Sequence, residues 1–181
     1  MMQSYLLSPP SEKDIRILHE LFLSKKKQEA ISKSNSVVIE ETKITNTLIM
    51  HVQERNVHNK VFGGYLMREM LDTAWMAANK FTFGQEFHVE DITNIYFRNP
   101  VEIGDELRIV AKVSYTQSTM MVVSVEAYSF NYRLKRDLLC SDCHIFMKTS
   151  QEQPSVHPVT YENGIHYLSS KSAYERIFNQ K

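Results

Sequence analysis

Residues 55–75 read RNVHNKVFGGYLMREMLDTAW, and the glycine pair at the centre decides how the chain is read. The chain has only 5 glycines, yet Gly63 and Gly64 stand side by side where a polar loop gives way to a helical run. From Gly64 to Phe81 apolar side chains fall at 66, 67, 70, 71, 74, 77, 78 and 81. That spacing is the helical period, with a wide apolar stripe. A helix beginning at Gly64 offers unpaired N–H groups and the positive end of its dipole. Glycine has no Cβ, so a ligand can approach that backbone closely. An anion, or a carbonyl oxygen becoming one, would be stabilised there. The plainer reading is that the glycines only let the loop turn into the helix.

Upstream, VVIEETKITNTLIMHV (37–52) is rich in β-branched residues and reads as one strand. Downstream, EDITNIYFRN runs into PVEIGD, a Pro/Gly turn signal. ELRIVAKVSYTQ, TMMVVSVEAYSF and LLCSDCHIFMK follow as short alternating segments. One strand, one long helix and about four antiparallel strands predict an α+β fold with the helix covering one face of the sheet. Near the N-terminus, Ser11 is the expected cap of a helix over 12–29, with Asp14 three positions on in capping-box style. Ile15, Leu18, Leu21 and Phe22 share one face of it. SKKKQEAISKSNS then reads as a solvated linker, with Lys25 to Lys27 as wet surface charge.

Composition narrows the function classes. With 181 residues, 43% hydrophobic and 23% charged, the chain is long enough for one ordinary domain with extra segments at its ends. Lys plus Arg equals Asp plus Glu at 21 each, so no basic footprint for nucleic acid is expected. No apolar stretch approaches the ~20 residues of a membrane span. MMQSYLLSPP is too short in its apolar part and too lightly charged for a signal peptide. An intracellular protein, cytoplasmic or mitochondrial, is the expectation, with no targeting segment visible. Two cysteines are compatible with it.

The order NVHNKVFGGYLM, helix, then FRNPVEIGDEL between strands resembles the hotdog-fold acyl-coenzyme A thioesterases. The likeness is strongest to the second half of the mitochondrial double-hotdog enzymes. Gln53, Asn56, Phe62, Gly63, Gly64, Leu66 and Met67 match one family pattern; Phe97, Pro100, Val101 and Gly104 match the other. The likeness runs from the leading helix to TYENGIHYL. It implies an N-terminal helix and linker over 1–36, a hotdog domain over 37–150 and a tail over 151–181 that packs on it. It also implies an antiparallel sheet wrapped around the central helix, with a fatty acyl-CoA as substrate. Asn56 would orient the thioester carbonyl or the water, Gly64 would donate its N–H to the carbonyl oxygen, and Gly63 would line the same site. Coenzyme A enters only as part of the substrate; its phosphates would meet Lys or Arg at the cleft mouth, for which Lys60 and Arg98 are the candidates. No cofactor or metal is implied. Two hotdogs pair sheet edge to sheet edge, so the expected partner is a second copy in a homodimer, a larger homo-oligomer, or a missing N-terminal hotdog domain.

The acid is where the chain departs from the pattern. Single-hotdog relatives carry a carboxylate seven positions after the second glycine, and that position here is Leu71. Asp72 comes one residue later, about 100° round the helix, and groups with Arg68, Glu69 and Thr73 on the expected polar side. Asp72 is therefore either the catalytic acid or a surface carboxylate beside Arg68. The second class of reading is a non-catalytic hotdog half that keeps coenzyme A affinity.

Other features are weaker. Cys140, Cys143 and His144 spell C-x-x-C-H, but strand alternation should point the two cysteines to opposite faces. A zinc site would need further ligands. His58 is placed in the loop as a substrate-binding residue, as a general base or as a turn-fixing residue, which keeps hotdog dehydration as a minor rival. Trp75, Tyr65 and the helix methionines read as core, some of them also lining an acyl tunnel. No P-loop, dinucleotide fingerprint or G-x-S-x-G elbow appears.

Overall fold

A computed structural model describes residues 11–28, 36–132 and 135–178. Side chains are not described for 24–28 or Asn131, so the Lys25 to Lys27 run and most of the expected linker lie outside the described residues. The order is α1 (Glu12–Gln28), β1 (Ser36–Val38), β2 (Ile44–Ile49), α2 (Gly63–Phe81), β3 (Phe87–Phe97), β4 (Glu106–Gln117), β5 (Met120–Asn131), β6 (Arg136–Thr149), β7 (Ser155–His157) and α3 (Tyr161–Phe178). Five strands form one antiparallel sheet in the order β2-β4-β5-β6-β3. β1 and β7 pair in parallel beside it.

Helix α2 lies on the inner face of the sheet. Ala74, Ala77 and Ala78 are fully buried, and their small side chains let the helix backbone approach the strands. Leu66, Met70 and Phe81 extend that stripe and share one buried cluster with Leu107, Ile109 and Met121. The helix starts at Gly63, one residue before the expected start, with Phe62 as its cap residue.

Two expectations fail locally. The strand expected over 37–52 is cut by a 3₁₀ turn, Ile39–Thr42, and a second follows at Val52–Glu54. Thr42 explains the first: its buried hydroxyl donates to the Ile39 carbonyl at 2.7 Å and accepts the Val113 N–H at 2.9 Å. A side chain thus takes over pairing that a straight strand would have made through its backbone. In β4 the register slips between Val113 and Tyr115, which carries Tyr115 from the inner to the outer face.

Helix α3 covers that outer face. Tyr115 and Phe146 meet Tyr167 and Phe178 there, and Ser114 and Ser170 share a buried hydrogen bond of 2.6 Å. Helix α1 crosses α3 at Gly164, where a Cβ would stand 2.7 Å from Leu18 Cδ2. The Ser11–Asp14 capping box forms as expected, each residue bonding the other's backbone N–H. Leu18 is buried where α1 meets α3 at Gly164, but Ile15 is exposed.

Candidate functional site

The loop ahead of α2 is a tight hairpin built from its own polar groups. Phe62 N–H donates to the Glu54 carbonyl at 2.8 Å and Asn56 N–H to the Lys60 carbonyl at 2.7 Å. Asn59 adopts φ 59° at the tip. Inside the hairpin the Asn56 side chain acts as a hub: Oδ1 accepts the N–H of His58 at 2.8 Å and of Lys60 at 3.1 Å. These two backbone donors fix the amide orientation. They leave the Nδ2 donors of Asn56 facing away, with no partner among the described residues.

The second motif holds this loop in place. Val61 N–H donates to the Val101 carbonyl at 3.0 Å, and Lys60 and Glu102 form a bridge. Asp105 accepts the Glu102 N–H at 3.2 Å, while Gly104, at φ 90°, donates to the Met50 carbonyl at 2.8 Å. The turn needs a residue tolerant of positive φ at 104. The two stretches that carry the resemblance are therefore one structural unit.

Gly63 and Gly64 do not supply unusual backbone angles, since both sit in the first turn of α2 without positive φ. Their smallness serves contact. A Cβ on Gly63 would come within 3.4 Å of the Phe97 ring, and one on Gly64 within 2.5 Å of the Phe62 ring. No side chain caps α2, and among the described residues no hydrogen bond fills the N–H groups of Gly63, Gly64 and Tyr65. Gly64 is exposed. Three free donors at the positive end of a 19-residue helix can stabilise an oxyanion without reorganisation.

The remaining candidates separate. The His58 imidazole is exposed; Asn56 and the His58 backbone, not the ring, fix the turn. Lys60 is engaged with Glu102. Arg98 makes a two-pronged pair with Asp142, at 2.5 and 3.0 Å, and lies 5.1 Å from the Tyr96 ring. Leu71 is half-buried against the core. Asp72 is exposed, with only a loose 3.7 Å contact to Arg68. Thr73, expected on the polar side, is fully buried and donates to the Glu69 carbonyl at 2.7 Å.

Trp75, Met67 and Met76 are not core, contrary to expectation: Trp75 and Met76 are each 45% exposed and Met67 37%. Trp75 instead packs on Phe87 with ring centroids 4.4 Å apart. The cysteines also depart from simple alternation. In the β5–β6 ladder Ala127 faces Ser141 and Tyr128 faces Leu139, so Cys140 is the extra residue of a bulge. The bulge brings Cys140 into the same buried cluster as Cys143. Burial pushes their thiols up to about 11 and about 12, so both stay protonated and unreactive at neutral pH.

A serine, histidine and asparagine meet under α3, yet their geometry is not that of a nucleophilic triad. Arg176 donates to Asn94 Oδ1 at 2.9 Å, which turns Asn94 Nδ2 toward His144 Nδ1 at 3.3 Å. The proton of neutral His144 then sits on Nε2 and points at Ser169 Oγ, 3.2 Å away. A general base needs its lone pair there. Burial, with help from His166 and Arg176, holds the His144 pKa down at about 4. The cluster is structural.

A helix packed within an antiparallel sheet, entered through a pinned loop and opening on bare N–H groups, is the hotdog arrangement. A profile described as the thioesterase superfamily matches residues 58–134, the loop, helix and strands just described. Residues 58–134 carry the match to the thioesterase superfamily, and the fold is the hotdog fold. It is 32% identical over 180 residues to the mouse (Mus musculus) protein named acyl-coenzyme A thioesterase 10, mitochondrial, covering 96% of this chain and 41% of that one. This chain thus spans about two fifths of the length of that curated relative. Among solved structures, the Staphylococcus aureus acyl-CoA hydrolase with butyryl coenzyme A superposes with a TM-score of 0.73 at 23% identity, covering 78% of this chain and 89% of that one. A hexameric acyl-CoA thioesterase superposes with a TM-score of 0.73 at 22% identity, covering 78% and 94%. Among the described residues no helix is long and apolar enough to cross a membrane, and no cluster of three or more metal-ligating side chains occurs.

Proposed function

We propose that the chain is a hotdog half-site that hydrolyses fatty acyl-CoA thioesters to a fatty acid and coenzyme A. One observation carries this: the free N–H groups of Gly63, Gly64 and Tyr65 sit at the end of the loop whose Asn56 is left with only donors to offer. Unpartnered donors at a helix N-terminus suit a carbonyl oxygen gaining negative charge. Water adds to the thioester carbon, the oxyanion rests on those N–H groups, and the C–S bond breaks as coenzyme A leaves as thiolate and takes up a proton. Asn56 Nδ2 holds the carbonyl or the attacking water.

The acid comes from a neighbouring hotdog. Gly64, Arg68, Asp72 and Met76 form an exposed row of every fourth residue along α2. Within one chain Asp72 lies about 12 Å along the axis from Gly64, too far to activate water there. A second domain with its helix running the opposite way would bring its own carboxylate to Gly64 and receive Asp72 in return. The exposed Phe62, Met67, Trp75 and Phe97 lie beside edge strand β3, where such a partner would pair. The partner is a second copy of this chain, in a dimer or a higher assembly such as the hexameric relative, or an acid-bearing hotdog domain of the same polypeptide. On this reading 1–36 is an accessory helix and linker, 37–150 the working domain and 151–181 its outer cover. The compartment proposed is the one in the mouse relative's name, the mitochondrion.

Leu71 at the acid position favours the second reading, a half that binds coenzyme A without hydrolysing thioesters. Free-thiol detection of coenzyme A released from acyl-CoAs of graded length decides between them. Turnover by the assembled protein supports hydrolysis. Calorimetric binding of coenzyme A with no release supports the binding half.

A further inference from the structure

We infer that Asp105 is a positioning residue for Asn56, setting through the 101–105 turn the direction in which the Asn56 Nδ2 donors point; this rests on the thioesterase reading. The turn grips both arms of the Asn56 hairpin. On the incoming side, Met50 donates its N–H to the Asp105 carbonyl at 3.0 Å and accepts the Gly104 N–H at 2.8 Å. On the outgoing side, Val61 N–H donates to the Val101 carbonyl at 3.0 Å, and Lys60 meets Glu102 both through the backbone bridge and through its side-chain ion pair. Lys60 in turn encloses Asn56. Its carbonyl accepts the Asn56 N–H at 2.7 Å, and its own N–H donates to Asn56 Oδ1 at 3.1 Å. Asn56 therefore points where the turn places Lys60.

One side chain closes that turn. Asp105 N–H donates to the Glu102 carbonyl at 3.3 Å, and Asp105 Oδ2 accepts the Glu102 N–H in return at 3.2 Å. The same Oδ2 accepts the hydroxyl of Ser129, a 2% exposed residue of β5, the middle strand of the sheet. The turn is thereby tied to the buried sheet and not left to solvent. A continuous chain of contacts runs from Ser129 through Asp105, Glu102 and Lys60 to Asn56. Both side-chain bonds of Asp105 converge on one oxygen, so the turn requires an acceptor there and not a negative charge.

That distinction supplies the test. Asp105→Ala removes both bonds, whereas Asp105→Asn can seat its amide oxygen in place of Oδ2 and keep them. A misplacement of about 1 Å costs up to about a hundredfold, so Asp105→Ala should lower kcat by about ten- to a hundredfold with KM for acyl-CoA within about twofold of the parent. Asp105→Asn should restore the parent kcat. In an Asn56→Asp background, Asp105→Ala should cost less than about twofold more, because losses carried through one group do not add. Amide exchange gives a readout that needs no turnover. In Asp105→Ala the His58 and Lys60 N–H groups that bond Asn56 Oδ1 should exchange at least about tenfold faster, while those of Ala77 and Ala78 in α2 hold. Ser129→Ala, which removes one of the two bonds, should move both readouts the same way by less, and it serves if Asp105→Ala does not fold. Unchanged exchange at His58 and Lys60 overturns the inference. So does an Asp105→Asn form as slow as Asp105→Ala, or a loss that multiplies with that of Asn56→Asp. A parent protein that releases no coenzyme A from any acyl-CoA refutes the thioesterase reading, and exchange alone then decides the role of Asp105.

Discussion

Asn56→Asp separates the two jobs of Asn56. The parent side chain accepts two backbone hydrogen bonds through Oδ1 and presents donors through Nδ2. Aspartate keeps an oxygen where His58 N–H and Lys60 N–H point, so the hairpin survives, but it replaces the donors with a second acceptor. Thermal stability should change by less than about 0.5 kcal/mol, within the range of substitutions that break no buried bond. Asn56→Ala is the contrasting case: it removes both loop bonds, each contributing roughly 0.5–1.5 kcal/mol, and should cost about 1–3 kcal/mol. Loss of one donor to a developing oxyanion costs about 10²–10³ in turnover. Steady-state coenzyme A release, with a melting curve for each variant, therefore tests the role: the aspartate form should melt like the parent and be at least about a hundredfold slower. An aspartate variant that turns over at the parent rate would refute the assignment of Asn56 as donor.

The other predictions use different parts of the molecule. Gly64→Ala forces the exposed Phe62 ring to swing aside and puts a methyl beside the free N–H groups; kcat/KM should fall at least about tenfold, while the melting temperature holds or rises because alanine outranks glycine in a helix by about 1 kcal/mol. Asp72→Asn should leave stability unchanged, since its ion pair with Arg68 is loose and exposed, and should abolish turnover only in the assembled protein; unaltered turnover removes Asp72 from the mechanism. His144 makes folding acid-sensitive. Its pKa is lowered from 6.5 to about 4 by burial, so the folded state holds it neutral and the unfolded chain binds the proton first. Stability is full above pH 6.5 and falls by about 3 kcal/mol as the pH drops to 4, with His166 shifted in the same direction. Denaturant titrations across that window should show the slope, and His144→Gln should flatten it.

Local signals and tertiary outcomes divide cleanly here. The helical stripe from Leu66 to Phe81, the Ser11–Asp14 cap and strands β4, β5 and β6 were legible because each depends on neighbours a few residues away. The resemblance in VFGGYLM and NPVEIGDEL named the fold, and the structure explains why the two travel together: Val61 and Lys60 of one bond Val101 and Glu102 of the other. Nothing local announced the bulge that turns Cys140 inward, because a bulge is a property of two strands and not of one. The break of the first strand at Thr42 required Val113, some seventy residues away, as partner. Trp75 looked like core because apolar spacing tells which side of a helix is greasy and not how far the sheet extends over it. Strand β3 is the edge, so the stripe outruns its cover, and Met67, Leu71 and Trp75 stay partly open. The amino-acid order by itself determined that a bare helix end would follow an asparagine loop. Only the tertiary structure decided that Asn56 keeps its donors free and that Trp75 lies open beside edge strand β3, because both depend on groups brought together by the wrapping of the sheet.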